Sequence, residues 1–191
     1  MHAQPEASTL VLARYYYHQL YTIHNIAFSL PFPCKLYVKE HPVIIKTKSV
    51  SFYRALKRIP NVVLISPQED TQKLIQKAAG IITLTSTIGM EAVLAGKPTY
   101  VLGNVSYDFH PGCIKVKNFD ELEEQIRLTM QEAHVGSRRA KNSSELRSLN
   151  LRFITSYFRN TIPGNIVSAS SKNDANDYKL ICRHIKERIG S

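Results

Sequence analysis

The sequence predicts an α/β fold, a parallel sheet with helices on both faces followed by C-terminal helices, and three observations predict it. Short apolar runs at 35–40, 62–66, 80–85, 99–103 and 114–117 show little of the in-out alternation of a half-exposed sheet, as strands buried on both faces require. Segments of helical period stand between them, the order that βαβ crossovers produce. Pro31, Pro60, Pro98 and Gly96 fall at the junctions, where chain-breaking residues belong. The combination is Rossmann-like.

Taken in order, residues 1–9 carry no helical pattern and open directly into what reads as a strand end. Residues 16–30 place Leu20, Ile23, Ile26, Ala27 and Leu30 on one helical face, and Pro31 stops the helix. The strand 35–40 follows, then a helix over 51–58 and the strand 62–66. Asp70 is a fitting N-cap for a helix over 70–78, since its carboxylate can accept from the first unpaired N–H groups. The strand 80–85 leads into a helix over 89–95, which Gly96 closes in the left-handed conformation that glycine adopts freely. The strand 99–103, a loop over 103–112 and the strand 114–117 precede a helix over 119–132. After Val135 come a polar stretch, a helix over 144–158, the turn Ile162-Pro163-Gly164, a linker over 168–176 and a final helix. The expected division is therefore a Rossmann-like domain over 1–135 and a basic helical extension over 136–191.

With 191 residues, 43% of them hydrophobic, the chain can bury one full core. No apolar run approaches the roughly 18 residues of a membrane span, and no signal-peptide layout opens the chain. A soluble, cytoplasmic protein is expected. Cys34, Cys113 and Cys182 are odd in number and far apart, which fits neither a disulfide framework nor a zinc site.

The net charge of +10 is uneven: 1–135 holds 14 basic and 11 acidic residues, whereas 136–191 holds 11 and 4. Such a tail attracts anionic lipid, nucleic acid or an acidic polymer, or is simply a solvated face. Its few aromatic residues, Phe153, Tyr157, Phe158 and Tyr178, argue against nucleic acid as a partner. Peripheral contact with the inner membrane, through Arg138, Arg139 and Lys141, is the lipid variant.

Three loops carry candidate chemistry. At Tyr37-Val-Lys-Glu-His-Pro42 a buried strand gives way to charge, and Pro42 keeps His41 extended at the strand's exit. Ligands of open α/β sheets bind at that carboxyl edge, where Lys39 and protonated His41 on one strand face would meet a phosphate. The same residues also suit a plain solvated strand end. In the second loop, Thr85, Ser86 and Thr87 lie where a helix exposes its first N–H groups, a ready anion site, although hydroxyl residues are equally ordinary N-caps. Glu91, a turn further on, could accept from ribose hydroxyls or complement the helix dipole. The third loop, 103–112, offers Tyr107 for stacking, with Asp108 and His110 for substrate contact. Turn formation accounts for most of its composition.

These strings resemble the capsule polysaccharide biosynthesis proteins, which include Kdo transferases and share motifs with bacterial sialyltransferases of GT-B fold. The resemblance rests on Gln4-Pro-Glu-Ala-Ser-Thr, Leu36-Tyr-Val-Lys-Glu-His-Pro42, Ile59-Pro-Asn-Val, Asp70-Thr, Thr85-Ser-Thr-Ile-Gly-Met-Glu-Ala-Val-Leu-Ala-Gly-Lys-Pro98 and Gly103-Asn-Val-Ser-Tyr-Asp-Phe. It implies the C-terminal, nucleotide-binding domain of a GT-B glycosyltransferase for capsular or other surface polysaccharide. The implied donor is a CMP-linked sugar, held at its phosphate by His41 and by Ser86 with Thr85 or Thr87, and at its ribose by Glu91. His41 is the implied catalytic residue, assisting departure of the nucleotide phosphate. No cofactor is implied, and no metal, since Asp-x-Asp is absent. The acceptor would be a polysaccharide or glycolipid, and its general base would come from a separate N-terminal GT-B half, with Glu6 near the junction. Catalysis by this chain alone is then not expected. A sugar-nucleotide epimerase-like domain and a non-catalytic basic module or inactive fragment are the alternative readings.

Overall fold

The structure is a computed structural model that describes Met1, residues 7–41, 48–134 and 143–161, and Arg183. Gln4 to Glu6, Pro42, Arg138, Arg139, Lys141, the turn at 162–164, the linker at 168–176 and most of the final helix lie outside the described residues. The chain divides into two units, Met1–Ser143 and Ser144–Ser191.

All five expected strands form: β1 (Leu36–Lys39), β2 (Val62–Ile65), β3 (Ile81–Thr83), β4 (Thr99–Val101) and β5 (Cys113–Lys115). Every pairing is parallel, and the fold is Rossmann-like α/β. The strands are in two ladders, β1-β2 and β3-β4-β5, where one sheet was expected. Each ladder has its own apolar cluster. Tyr100, Leu102, Val116, Leu122 and Ile126 belong to one, and Val38, Leu56 and Ile59 to the other. Helix α2 (Gln19–Phe28) joins them, because Ile26 enters the first cluster while Ile23 and Ala27 enter the second. Leu36 of β1 packs against both.

The first helix is a correction. Residues 1–9 are expected to carry no helix and to open into a strand end, but Ala7–Leu12 form α1, with Thr9 and Ala13 buried. A short apolar run fits either structure by pattern alone. A 3-10 turn, Arg14–Tyr16, follows. Tyr16 pins it by donating to the Lys117 carbonyl at 2.6 Å and by an edge-on contact with Phe119 at 5.4 Å. Helix α2 therefore starts later than its apolar pattern suggests, with His18 Nδ1 accepting from the Tyr21 N–H.

Helix α3 (Val50–Lys57) is capped by Ser49, and α4 (Thr71–Lys77) by Asp70, which accepts from the Gln72 and Lys73 N–H groups. Helix α5 (Ile88–Leu94) ends before Gly96, whose φ of 76° is the left-handed conformation expected of it. Lys97 returns to α4, its Nζ donating to the Gln76 and Ala78 carbonyls at 2.7 and 2.9 Å. That cation meets the unpaired carbonyls of a helix end, where positive charge is favourable. Helix α6 (Phe119–His134) seats Leu122 and Ile126 in the first cluster, and α7 (Ser143–Arg159) belongs to the second unit. Among the described residues no helix is long and apolar enough to cross a membrane.

Strands β4 and β5 are parallel neighbours without a helix between them. Parallel neighbours need a crossover from one edge of the sheet to the other, and here the loop 102–112 makes it. Its start lies by the carboxyl ends of β3 and β4, where the Gly103 N–H donates to the Leu84 carbonyl. Its end lies by the start of β4, where the Thr99 N–H donates to the Gly112 carbonyl. The loop occupies the place of a helix, so its inward side chains are core.

Candidate functional site at the carboxyl edge

Strand β1 delivers Lys39, Glu40 and His41 to the edge in alternating directions. Glu40 is buried and accepts from the Tyr53 hydroxyl at 2.5 Å. That hydrogen bond to a carboxylate, together with burial, pushes the Tyr53 phenol up to about 12. Glu40 thus ties the strand exit to α3. On the other side, Lys39 Nζ donates to Thr71 Oγ1 at 3.0 Å, and His41 is exposed.

Beyond β3 the chain turns through Leu84 to Thr87 into α5. The Ser86 N–H donates to Thr83 Oγ1 at 3.2 Å, and the Ile88 N–H to Ser86 Oγ at 3.4 Å. The turn therefore satisfies two of its own donors, which narrows the expected array of open N–H groups. Thr87 is exposed, while Thr85 Oγ1 is buried and lacks a hydrogen-bond partner among the described residues. Backbone approaches closely here. A Cβ on Gly103 would lie 2.6 Å from the Leu84 carbonyl oxygen and 2.9 Å from Thr85 Cγ2. A Cβ on Gly89 would lie 2.2 Å from the Tyr107 hydroxyl.

Helix α4 connects the two loops. Thr71, its first residue, receives the Lys39 bond, and the next residue, Gln72, donates through Nε2 to Glu91 Oε2 at 2.6 Å. The sequence Lys39, Thr71, Gln72, Glu91 thus runs from the end of β1 to the first turns of α5. Of the expected site residues, these bonds relate Lys39 and Glu91 through α4; His41 is exposed just beyond β1, Ser86 and Thr87 lie in the turn before α5, and the Thr85 hydroxyl is buried. Thr71, Gln72 and Tyr53 were not singled out from the sequence. The string Asp70-Thr was the available signal; it entered as the cap of α4 and as part of the family resemblance, with no role for Thr71 at the site.

The third loop divides. Tyr107 is 3% exposed and donates to the Ser86 carbonyl at 2.6 Å, with burial pushing its phenol well above the ordinary range. His110 is 2% exposed, and its Nδ1 accepts from the Gly112 N–H at 2.9 Å. Both are packed within the crossover, with no ring face open to a base or sugar. Asp108 remains at the surface, paired with Lys115 at 3.0 Å, an arrangement worth only about 0.2–1 kcal/mol. Burial first, and Asp108 second, push the nearby Cys113 thiol up to about 11, which disfavours the reactive thiolate. No cluster of three or more metal-ligating side chains occurs among the described residues.

The parallel strands flanked by helices are a Rossmann-like α/β domain, a fold whose ligands bind at the carboxyl ends of the strands. The family model for capsule polysaccharide biosynthesis proteins matches residues 21–131, more than half of the chain and every strand. The chain belongs to the capsule polysaccharide biosynthesis protein family, and its role is in capsule synthesis. No curated protein and no solved structure gives a match.

Proposed function

We propose that the chain is the donor-nucleotide-binding half of a capsular glycosyltransferase and that its donor is a CMP-linked sugar. The observation that carries this reading is the α4 bridge, in which Lys39 bonds to Thr71 and Gln72 to Glu91. It ties a cationic strand end to the first turns of α5, the helix that the hydroxyl-rich turn opens. In the proposed complex Lys39 and protonated His41 hold the departing phosphate, and Ser86 and Thr87 donate hydroxyls to it. The other carboxylate oxygen of Glu91 accepts from the ribose. Transfer breaks the bond between the sugar and its phosphate and joins the sugar to an acceptor hydroxyl. The hydroxyl's proton goes to a base on a separate N-terminal half, and the negative charge gathering on the phosphate is stabilised by Lys39 and His41. Asp108 is the loop residue assigned to acceptor contact in this reading, while Tyr107 supports the turn through its bond to the Ser86 carbonyl.

Isothermal calorimetry of the chain with CMP, UDP and GDP tests the proposal. CMP is expected to bind most tightly, and His41→Ala and Ser86→Ala each to weaken it about 10-fold or more, since a hydrogen bond to a charged group is worth about 1.5–3 kcal/mol. Absence of nucleotide binding, or CMP binding that neither substitution alters, overturns the proposal.

A further inference from the structure

Helix α7 (Ser143–Arg159) carries two apolar faces where a surface helix needs one. Leu146, Leu149, Phe153 and Tyr157 recur three and four residues apart and are buried or half-buried, so they form the packed face. Leu151, Ile154 and Phe158 are also three and four residues apart, on a neighbouring face, and remain 65%, 37% and 71% exposed. Arg147 continues that exposed stripe one turn earlier, and Arg152 and Arg159 lie beside it, all three exposed. Glu145 is the helix's one acidic residue. The first face is buried at Phe153 and half-buried elsewhere, and the second stripe is left exposed, with Arg147 in line with it and Arg152 and Arg159 along one side.

We infer that this face of α7 docks on an anionic lipid surface. Apolar side chains flanked by arginines, on a helix without a spanning length of apolar sequence, match the chemistry of a bilayer interface. The Leu, Ile and Phe enter the headgroup boundary, and the guanidinium groups stay at the phosphates. The charge of 136–191, 11 basic against 4 acidic residues, acts in the same direction by drawing the unit toward negative headgroups. The opposite arrangement, acidic residues around the stripe, would have pointed to a basic protein partner instead.

The test is vesicle co-sedimentation of the full chain at low salt, with phosphatidylcholine alone and with an equal mixture of phosphatidylcholine and phosphatidylglycerol. Binding is expected to the mixed vesicles and to be at least 10-fold weaker with the neutral ones. Arg147→Gln, Arg152→Gln and Arg159→Gln together should lower partitioning into mixed vesicles on the order of 100-fold, each arginine at an anionic surface contributing about fivefold. Leu151→Gln, Ile154→Gln and Phe158→Gln together should abolish binding while the circular dichroism spectrum and melting stay as in the parent, because all three positions are exposed. Equal binding to both vesicle types, or unchanged binding by either triple variant, overturns the inference. So does a parent chain that ignores vesicles and is dimeric by light scattering but monomeric after the apolar substitutions, which would make the stripe an interface between copies.

Discussion

Gly89→Ala is the sharpest perturbation of the site's framework. The added Cβ would stand 2.2 Å from the Tyr107 hydroxyl oxygen, 2.8 Å from its Cζ and 2.9 Å from Thr83 Cγ2, so the ring must withdraw by roughly 1 Å to reach ordinary contact. Withdrawal breaks the 2.6 Å bond from Tyr107 to the Ser86 carbonyl. Overpacking of this kind costs about 1–3 kcal/mol, and the lost hydrogen bond adds about 1 kcal/mol. Alanine returns up to about 1 kcal/mol through its better helix propensity. The net expectation is a destabilisation of about 1–4 kcal/mol, read as a lower urea midpoint at unchanged slope. Tyr107→Phe alone should cost about 1 kcal/mol. Since it removes the closest clashing atom, the double variant should lie within about 1 kcal/mol of Tyr107→Phe, short of the sum. A Gly89→Ala protein as stable as the parent, or strict additivity in the double variant, would refute the packing described for this turn.

Asp70→Ala, which strips two backbone N–H groups of their acceptor, should lower stability by about 1 kcal/mol in urea denaturation. Lys97→Met leaves the Gln76 and Ala78 carbonyls without their shared cation, and a loss of about 1 kcal/mol is expected by the same assay. The folded Tyr53 phenol titrates near 12 against an ordinary 10.0, so its contribution is fully present below pH 10 and is lost as pH rises through 12. The urea midpoint should therefore fall less between pH 9 and 11.5 in Tyr53→Phe than in the parent. Asp108→Asn removes a charge that holds the Cys113 thiol up, and alkylation of Cys113 at pH 8.5 should quicken. An unchanged rate would leave burial as the whole cause.

Much of the fold was legible because local rules and global packing agreed. The five strands announced themselves by continuous apolar runs, and Asp70 and Gly96 by the cap positions only such residues fill well. Residues 7–13 were not legible, since Leu10-Val-Leu-Ala suits a strand or a helix equally. At the site, the strand exit and the hydroxyl turn could be found because edges of parallel sheets have a sequence form. The burial of Tyr107 and His110 could not, because it follows from a crossover made without a helix, a fact of topology. The α4 bridge was hidden for the same reason: Thr71 and Gln72 matter through residues 32 and 19 positions away, and no local pattern encodes that.

The bridge also bears on how tightly anything can be held at this edge. Lys39 and Glu91 already have companions in Thr71 and Gln72, so an incoming anion or sugar competes with the protein's own side chains. A ligand that wins loosens the first turn of a seven-residue helix that is fastened at its other end by Lys97. On the proposed reading, affinity is then governed partly by the readiness of α4 to release, and substitution of Lys97, well away from any bound molecule, becomes an adjustment to it.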